Sequence, residues 1–147
     1  MATRKSEEEL NPYEFEEKAR KFLSRKWGTK LQEREIQYPN GDEKSFDLVS
    51  EDPEKYVGDA KYLKNIPAPA AKFSGIAEFV WLLQKIKRAK HKFLVFGRHI
   101  EVPERWLKKW RSLVGDVEFY FLKDNELKEY NKKEGKFVLV KRIKKKN

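Results

Sequence analysis

Asp59 and Lys61 stand two positions apart in "YVGDAKYLK" (56–64), a segment otherwise made mostly of apolar and small residues. Side chains alternate along a strand, so Asp59, Lys61 and Val57 share one face, while Tyr56, Gly58, Ala60 and Tyr62 share the other. The preceding strand-like segment "SFDLVS" carries Asp47, with Phe46 and Leu48 expected on the face opposite to it. If these two strands pair, Asp47 approaches Asp59. Two carboxylates held together repel unless a cation lies between them or one takes a proton. Hard divalent ions favour such oxygen ligands and keep waters for chemistry. An acid followed two residues later by Lys occurs five times in the chain, at Glu16, Asp42, Asp59, Glu126 and Glu134. Only at Asp59 does the pair sit in an apolar strand that follows another apolar strand bearing an acid. A surface ion pair is the plain alternative, and such pairs are common.

The elements that must position these groups are legible in outline. Asn11-Pro12 opens a helix, with Phe15, Ala19, Phe22 and Leu23 on one side and Trp27-Gly28 at its end. Successive helical residues turn by about 100°, which sets Glu16 about 60° from Ala19 and close to the inward side. Glu14 and Glu17 fall on the solvent side. "KLQEREIQY", the turn "PNGD" and "KSFDLVS" read as a hairpin, and "YVGDAKY" as a third strand. "NIPAPA" reads as a loop, followed by a long helix over 73–90 and a continuous apolar strand "KFLVFG". Val102-Pro103-Glu104 starts another helix with a stripe of Trp106, Leu107, Trp110, Leu113 and Val114. "DVEFYFL" alternates as a strand, and "KFVLVKRI" is a further strand candidate. The order is αβββαβ and then αβ: an α/β chain with a mixed central sheet flanked by helices.

The 147 residues suit one domain able to bury a core without disulfides. No cysteine is present, which excludes thiolate metal sites and cysteine nucleophiles. The N-terminal "MATRKSEEELNPYEF" has no apolar run of signal-peptide type, and "FVWLL" is too short to span a bilayer. A cytoplasmic protein without membrane partners is expected. Lys and Arg outnumber Asp and Glu by 34 to 24, for a net charge of +10. Such an excess points to a polyanionic partner, because binding releases counterions. Trp27 and Trp81 are expected in the core with Trp106 and Trp110, His91 and His99 are isolated, and Gln84 is expected to be structural. The basic tail 141–147 suits a solubilising end as well as a nucleic-acid clamp.

Together, "YEFEEKARKFL…SFDLVS…YVGDAKY" resembles the PD-(D/E)xK nuclease superfamily, the restriction-endonuclease-like fold, and is closest to its Mrr-like and Holliday-junction-resolvase-like branches. The likeness covers about residues 12–122 within a core of 11–122. Phe46 stands where the superfamily often has proline. The resemblance implies that Asp47, Asp59 and the carbonyl of Ala60 bind Mg2+, with Mn2+ as substitute, and that Glu16 completes the shell. Lys61 would orient or help deprotonate the attacking water, or stabilise charge on the phosphate. Lys64, Lys72 and Arg98 are candidates to touch phosphate. The implied activity is hydrolysis of DNA phosphodiester bonds in repair, recombination or defence, by an endonuclease or an exonuclease. Two other readings stand beside it: a nucleic-acid-binding module of the same fold without activity, and a nuclease directed at RNA. The apolar helix over 73–90 offers a surface for a homodimer.

Overall fold

The computed structural model describes residues 10–62 and 69–140, the side chains of 69–74 excepted. Helix α1 (Pro12–Trp27) begins where Asn11 and Glu14 form a reciprocal cap: Glu14 N–H donates to Asn11 Oδ1 at 2.8 Å, and Asn11 N–H donates to Glu14 Oε1 at 3.1 Å. Glu14 is therefore a capping residue and not merely a solvated one. Gly28 ends the helix at φ 65, a left-handed conformation that glycine adopts without steric cost. Strands β1 (Leu31–Gln37), β2 (Glu43–Ser50) and β3 (Tyr56–Tyr62) follow, then helix α2 (Pro69–Gln84), strand β4 (His91–Gly97) and helix α3 (Glu101–Trp110). A 3-10 turn (Arg111–Leu113) leads to β5 (Val117–Lys123), β6 (Glu126–Asn131) and β7 (Lys136–Leu139).

The seven strands form one mixed sheet in sequential order. β3, β4 and β5 run parallel, and all other neighbours pair antiparallel. Both parallel connections step across the sheet in the same direction, and crossovers of this type are almost always right-handed. α2 and α3 accordingly pack on one face, where Ile76, Val80 and Leu83 meet Leu94, Phe96, Trp106 and Phe119. α1 covers the other face, burying Phe15, Ala19 and Leu23 against Leu48, Phe93, Val95 and Leu122. The molecule is a three-layer α/β/α structure of the expected α/β class.

Several expectations need correction. α2 spans Pro69–Gln84 and not 73–90, because proline fits the first turn of a helix and residues 85–90 instead lead into β4. β6 is an additional strand, joined to β5 through Asp124-Asn125 at φ 50 and 63. Trp81 is 57% exposed and Leu113 60% exposed, so neither belongs to the core. Leu113 leaves the α3 stripe because the chain tightens into the 3-10 turn there. Trp110 also lies at the surface, whereas Trp106 is buried. His91 is not isolated, since its Nδ1 lies 2.9 Å from Glu118 Oε2. Among the described residues no helix is long and apolar enough to cross a membrane.

Candidate active site

The edge of the sheet around β2 departs from regular pairing in two ways. β1 pairs Gln32 with Val49 and then Arg34 with Phe46, so Glu33 alone spans the positions of Asp47 and Leu48. This is a β-bulge, which bends a strand and re-aims side chains. It sends Phe46 to the α2/α3 face and Leu48 to the α1 face. The expectation that both lie opposite Asp47 is thereby overturned. On the other side, β2 and β3 pair only at Leu48–Gly58 and Val49–Val57.

Past that point two carboxylates take over bonds that a regular ladder would make. Asp47 N–H donates to Asp59 Oδ1 at 2.7 Å, and Ala60 N–H donates to Asp47 Oδ2 at 3.2 Å. Each acid thus satisfies the other strand's main chain, which fixes both side chains at the opening. Lys61 follows on the Asp59 face with its Nζ 3.8 Å from Asp59 Oδ2. The same ammonium lies 3.1 Å from the centroid of the Phe79 ring on α2, a cation–π arrangement that holds its position. Val57, Asp59 and Lys61 therefore lie toward α2, as strand alternation implies.

α1 brings the third acid. Phe15 stacks on Tyr62 at 4.9 Å between centroids and rests on Gly97, where an added Cβ would come within 2.4 Å of its ring. That close approach anchors the first turns of α1 over the carboxyl end of the parallel strands. Glu16, the next residue, has a carboxylate oxygen within 4.8 Å of oxygens of both Asp47 and Glu33. Arg20, one turn later, donates to Glu16 Oε1 at 2.6 Å and to the Asp47 carbonyl at 3.2 Å. Its Nε is buried with no hydrogen-bond partner among the described residues.

Electrostatics at the opening are unbalanced. Asp59 is only 2% exposed, and burial together with the Asp47 charge pushes its pKa up to about 7, against the opposing pull of Lys61. Burial and Asp47 raise Glu16 as well, with Arg20 opposing. Burial lowers Lys61, while the Asp59 and Asp47 charges resist that shift. The donors are all hard oxygen atoms, and the four carboxylates Glu16, Glu33, Asp47 and Asp59 face three cations, Arg20, Lys61 and Lys44. That chemistry fits Mg2+ or Mn2+.

Of the sequence-derived candidates, Asp47, Asp59, Ala60 and Lys61 meet at the strand opening, and Glu16 joins through Asp47. Asp59 lies outside the compact group Glu16–Glu33–Asp47. Arg98 follows β4 at φ 66, beyond the position paired with Tyr62, and its Nε is buried without a hydrogen-bond partner among the described residues. Lys64 lies outside the described residues, as do the side chain of Lys72 and the tail 141–147. Gln84 is structural, donating from Nε2 to the Leu113 carbonyl at 2.8 Å. Sequence reasoning missed Glu33 and Arg20. Glu33 carried no signal, being one of two acids on a polar strand; Arg20 carried one, as the i+4 partner of Glu16. No family model matches the chain, and comparison with curated proteins and with solved structures found no significant match either.

Proposed function

We propose that the protein is a metal-dependent nuclease of the PD-(D/E)xK type, with a restriction-endonuclease-like fold, that hydrolyses DNA phosphodiester bonds. The observation that carries this reading is the opening of the β2–β3 ladder, where Asp47 and Asp59 replace main-chain partners and Lys61 stands beside them. A strand pair that served only stability would continue its ladder in place of holding a buried carboxylate, Asp59, against a second, half-buried one, Asp47.

In this proposal Asp47, Asp59 and the carbonyl of Ala60 hold Mg2+ or Mn2+, and Glu16 completes the shell directly or through water. The ion, when bound, acidifies water and neutralises charge developing on the phosphate. Lys61 orients the attacking water: Phe79 covers one side of its amine, and its lowered pKa lets it share in deprotonation. Arg20 holds Glu16 and the Asp47 main chain in place. Arg98, Lys64 and Lys72 are candidate phosphate contacts, and the net charge of +10 favours a polyanionic substrate.

The test is digestion of single-stranded DNA, duplex DNA and RNA with Mg2+ or Mn2+, with Lys61→Ala as the control. Cleavage of DNA by the wild type and its loss in the variant support the proposal. Cleavage that survives Lys61→Ala unchanged would sink it, and preferential digestion of RNA would reassign the substrate.

A further inference from the structure

The outer surface of the α2/α3 layer carries apolar and basic groups that the proposed hydrolysis does not use. Trp81 on α2 is 57% exposed, and Leu113 and Trp110 are exposed at the end of α3 and in the turn after it. The Gln84–Leu113 hydrogen bond joins these two regions, with Trp81 one helical turn before Gln84 and Trp110 three residues before Leu113. Each indole has a lysine over it: Lys85 Nζ lies 5.6 Å from the Trp81 ring and Lys109 Nζ 5.1 Å from the Trp110 ring. Lys87, Arg88, Lys108 and Arg111 are exposed next to them in the chain. Glu78, Glu101 and Glu104 are exposed acids on the same helices, and Asp116 is tied to Lys92 at 3.0 Å.

We infer that this face is a binding track for single-stranded nucleic acid, with unpaired bases on Trp81 and Trp110 and phosphates on the lysines and arginines between and beside them. Exposed indoles with a lysine close to the ring accept bases of any sequence, while a duplex keeps its base faces stacked inside. A second copy is the other natural occupant of exposed tryptophans. The charge argues against it, because the cations of these elements outnumber their acids and two-fold docking would bring that excess on each copy together.

The track also reaches toward the candidate active site. Lys85, Lys87 and Arg88 line a hollow of about 700 Å³ together with Tyr38 and Val57, and face two acids across it, Asp52 and Glu54. Val57 precedes Asp59 by two residues on the same strand face. Tyr38, whose hydroxyl donates to the Leu82 carbonyl at 2.9 Å, lies near enough to Asp59 to feel its charge. A strand held on the two indoles can therefore lead along the basic segment that follows α2 to the opening between β2 and β3. The choice of nucleic acid as the polyanion rests on the hydrolase reading; the surface itself is tested without cleavage.

The experiment is fluorescence anisotropy with labelled oligothymidylate, alone and annealed to oligoadenylate, in EDTA so that no hydrolysis intervenes. Trp81→Ala should weaken binding of the single strand about tenfold and of the duplex much less. Lys85→Ala, which leaves the indole in place, should flatten the salt dependence by about one phosphate contact. Tyr13→Ala, on the exposed side of α1, should change neither. Failure of the wild type to bind the single strand, or equal affinity of wild type and Trp81→Ala, would overturn the inference. So would light scattering that shows a wild-type dimer and a Trp81→Ala monomer, which would give the face to a second copy. The two proposals part cleanly. Loss of single-strand binding in Trp81→Ala, with no Mg2+-dependent cleavage by any form, keeps the track and removes the nuclease. DNA cleavage that depends on Lys61, with unchanged binding by Trp81→Ala, does the reverse.

Discussion

Two groups of ionisable side chains sit at opposite ends of the parallel strands, and they are built on different terms. At the amino end, Glu118 accepts from Tyr120 Oη at 2.8 Å and pairs with His91 Nδ1 at 2.9 Å. His91 stacks on Tyr56, and Tyr56 stacks on Trp27, with centroids 4.9 and 4.5 Å apart. There His91, Glu118 and Tyr120 each have a partner of suitable chemistry, with Glu129 beside them raised by burial and by the Glu118 charge. At the other end Asp47 and Asp59 approach each other, and one acid is forced up to a pKa of about 7. A satisfied polar network rigidifies a fold. An unsatisfied one is tolerated where the same charges serve a purpose, and places where local rules are broken tend to be functional.

The contrast is broken most sharply at Lys61. Lys61→Ala should lower DNA cleavage by about 10³-fold, the range expected for a group that handles a proton in the reaction. His91→Ala should leave the rate within about twofold, since it touches none of the proposed site. Initial rates under Mg2+ for the two variants decide the matter, with circular dichroism to show that both are folded. Comparable losses in both would mean that the two ends do not differ in role.

A second test reads the imbalance without any substrate. Asp59 is raised in the folded state from its usual 3.8 to about 7, so the folded protein binds the proton more tightly than the unfolded chain does. Stability is then fully present below about pH 4 and is lost as pH rises toward 7. Glu16 is raised too and works in the same direction. In EDTA the wild type should melt at lower temperature at pH 8 than at pH 5, by several degrees. Asp59→Asn keeps an acceptor for the Asp47 N–H and should flatten that dependence while abolishing cleavage. Added Mg2+ should restore the melting temperature of the wild type at pH 8 and do little for the variant. Identical pH profiles with and without Asp59 would show that the carboxyl is not under strain.

The same contrast shows what local pattern could and could not reveal. Alternation along β3 was enough to place Asp59 and Lys61 together, because a period of two is a property of one strand. The helical period placed Glu16 inward for the same reason. The bulge at Asp47-Leu48 was hidden, since it arises from the register between β1 and β2, and register is a relation between segments. Glu33 is visible only once that register is known. The apolar run on α2 gave no sign that Trp81 faces outward, because hydrophobicity does not say which side of a helix is covered. The Asp124-Asn125 turn was a missed local signal: both residues tolerate positive φ, and a two-residue loop of this type closes hairpins.

Arg20 offers an intermediate test, since it belongs to the strained end yet acts there as a partner. Arg20→Met retains much of the aliphatic stem but leaves Glu16 Oε1 and the Asp47 carbonyl without their donor. Loss of charge-assisted hydrogen bonds should cost about 1.5–3 kcal/mol in EDTA, measured by urea unfolding. Mg2+ should recover part of it by supplying the missing positive charge. A loss that is the same with and without Mg2+ would mean that the ion does not share the Glu16–Asp47 charge.

The smallest expected effect belongs to the satisfied end. Glu118→Gln keeps the shape and one acceptor but removes the charge beside His91 and Tyr120. The amide can still accept from Tyr120 while its NH2 turns toward His91, so the loss should be about 1 kcal/mol, the ordinary net value of a hydrogen bond. Glu129, which burial and the Glu118 charge both raise, should titrate closer to its usual value once that charge is gone. The acid side of the stability profile should therefore shift, while Mg2+ dependence and cleavage stay as in the wild type. A metal-dependent change in Glu118→Gln would connect the two ends through β4 and β5, and the division between a structural end and a reactive one would have to be given up.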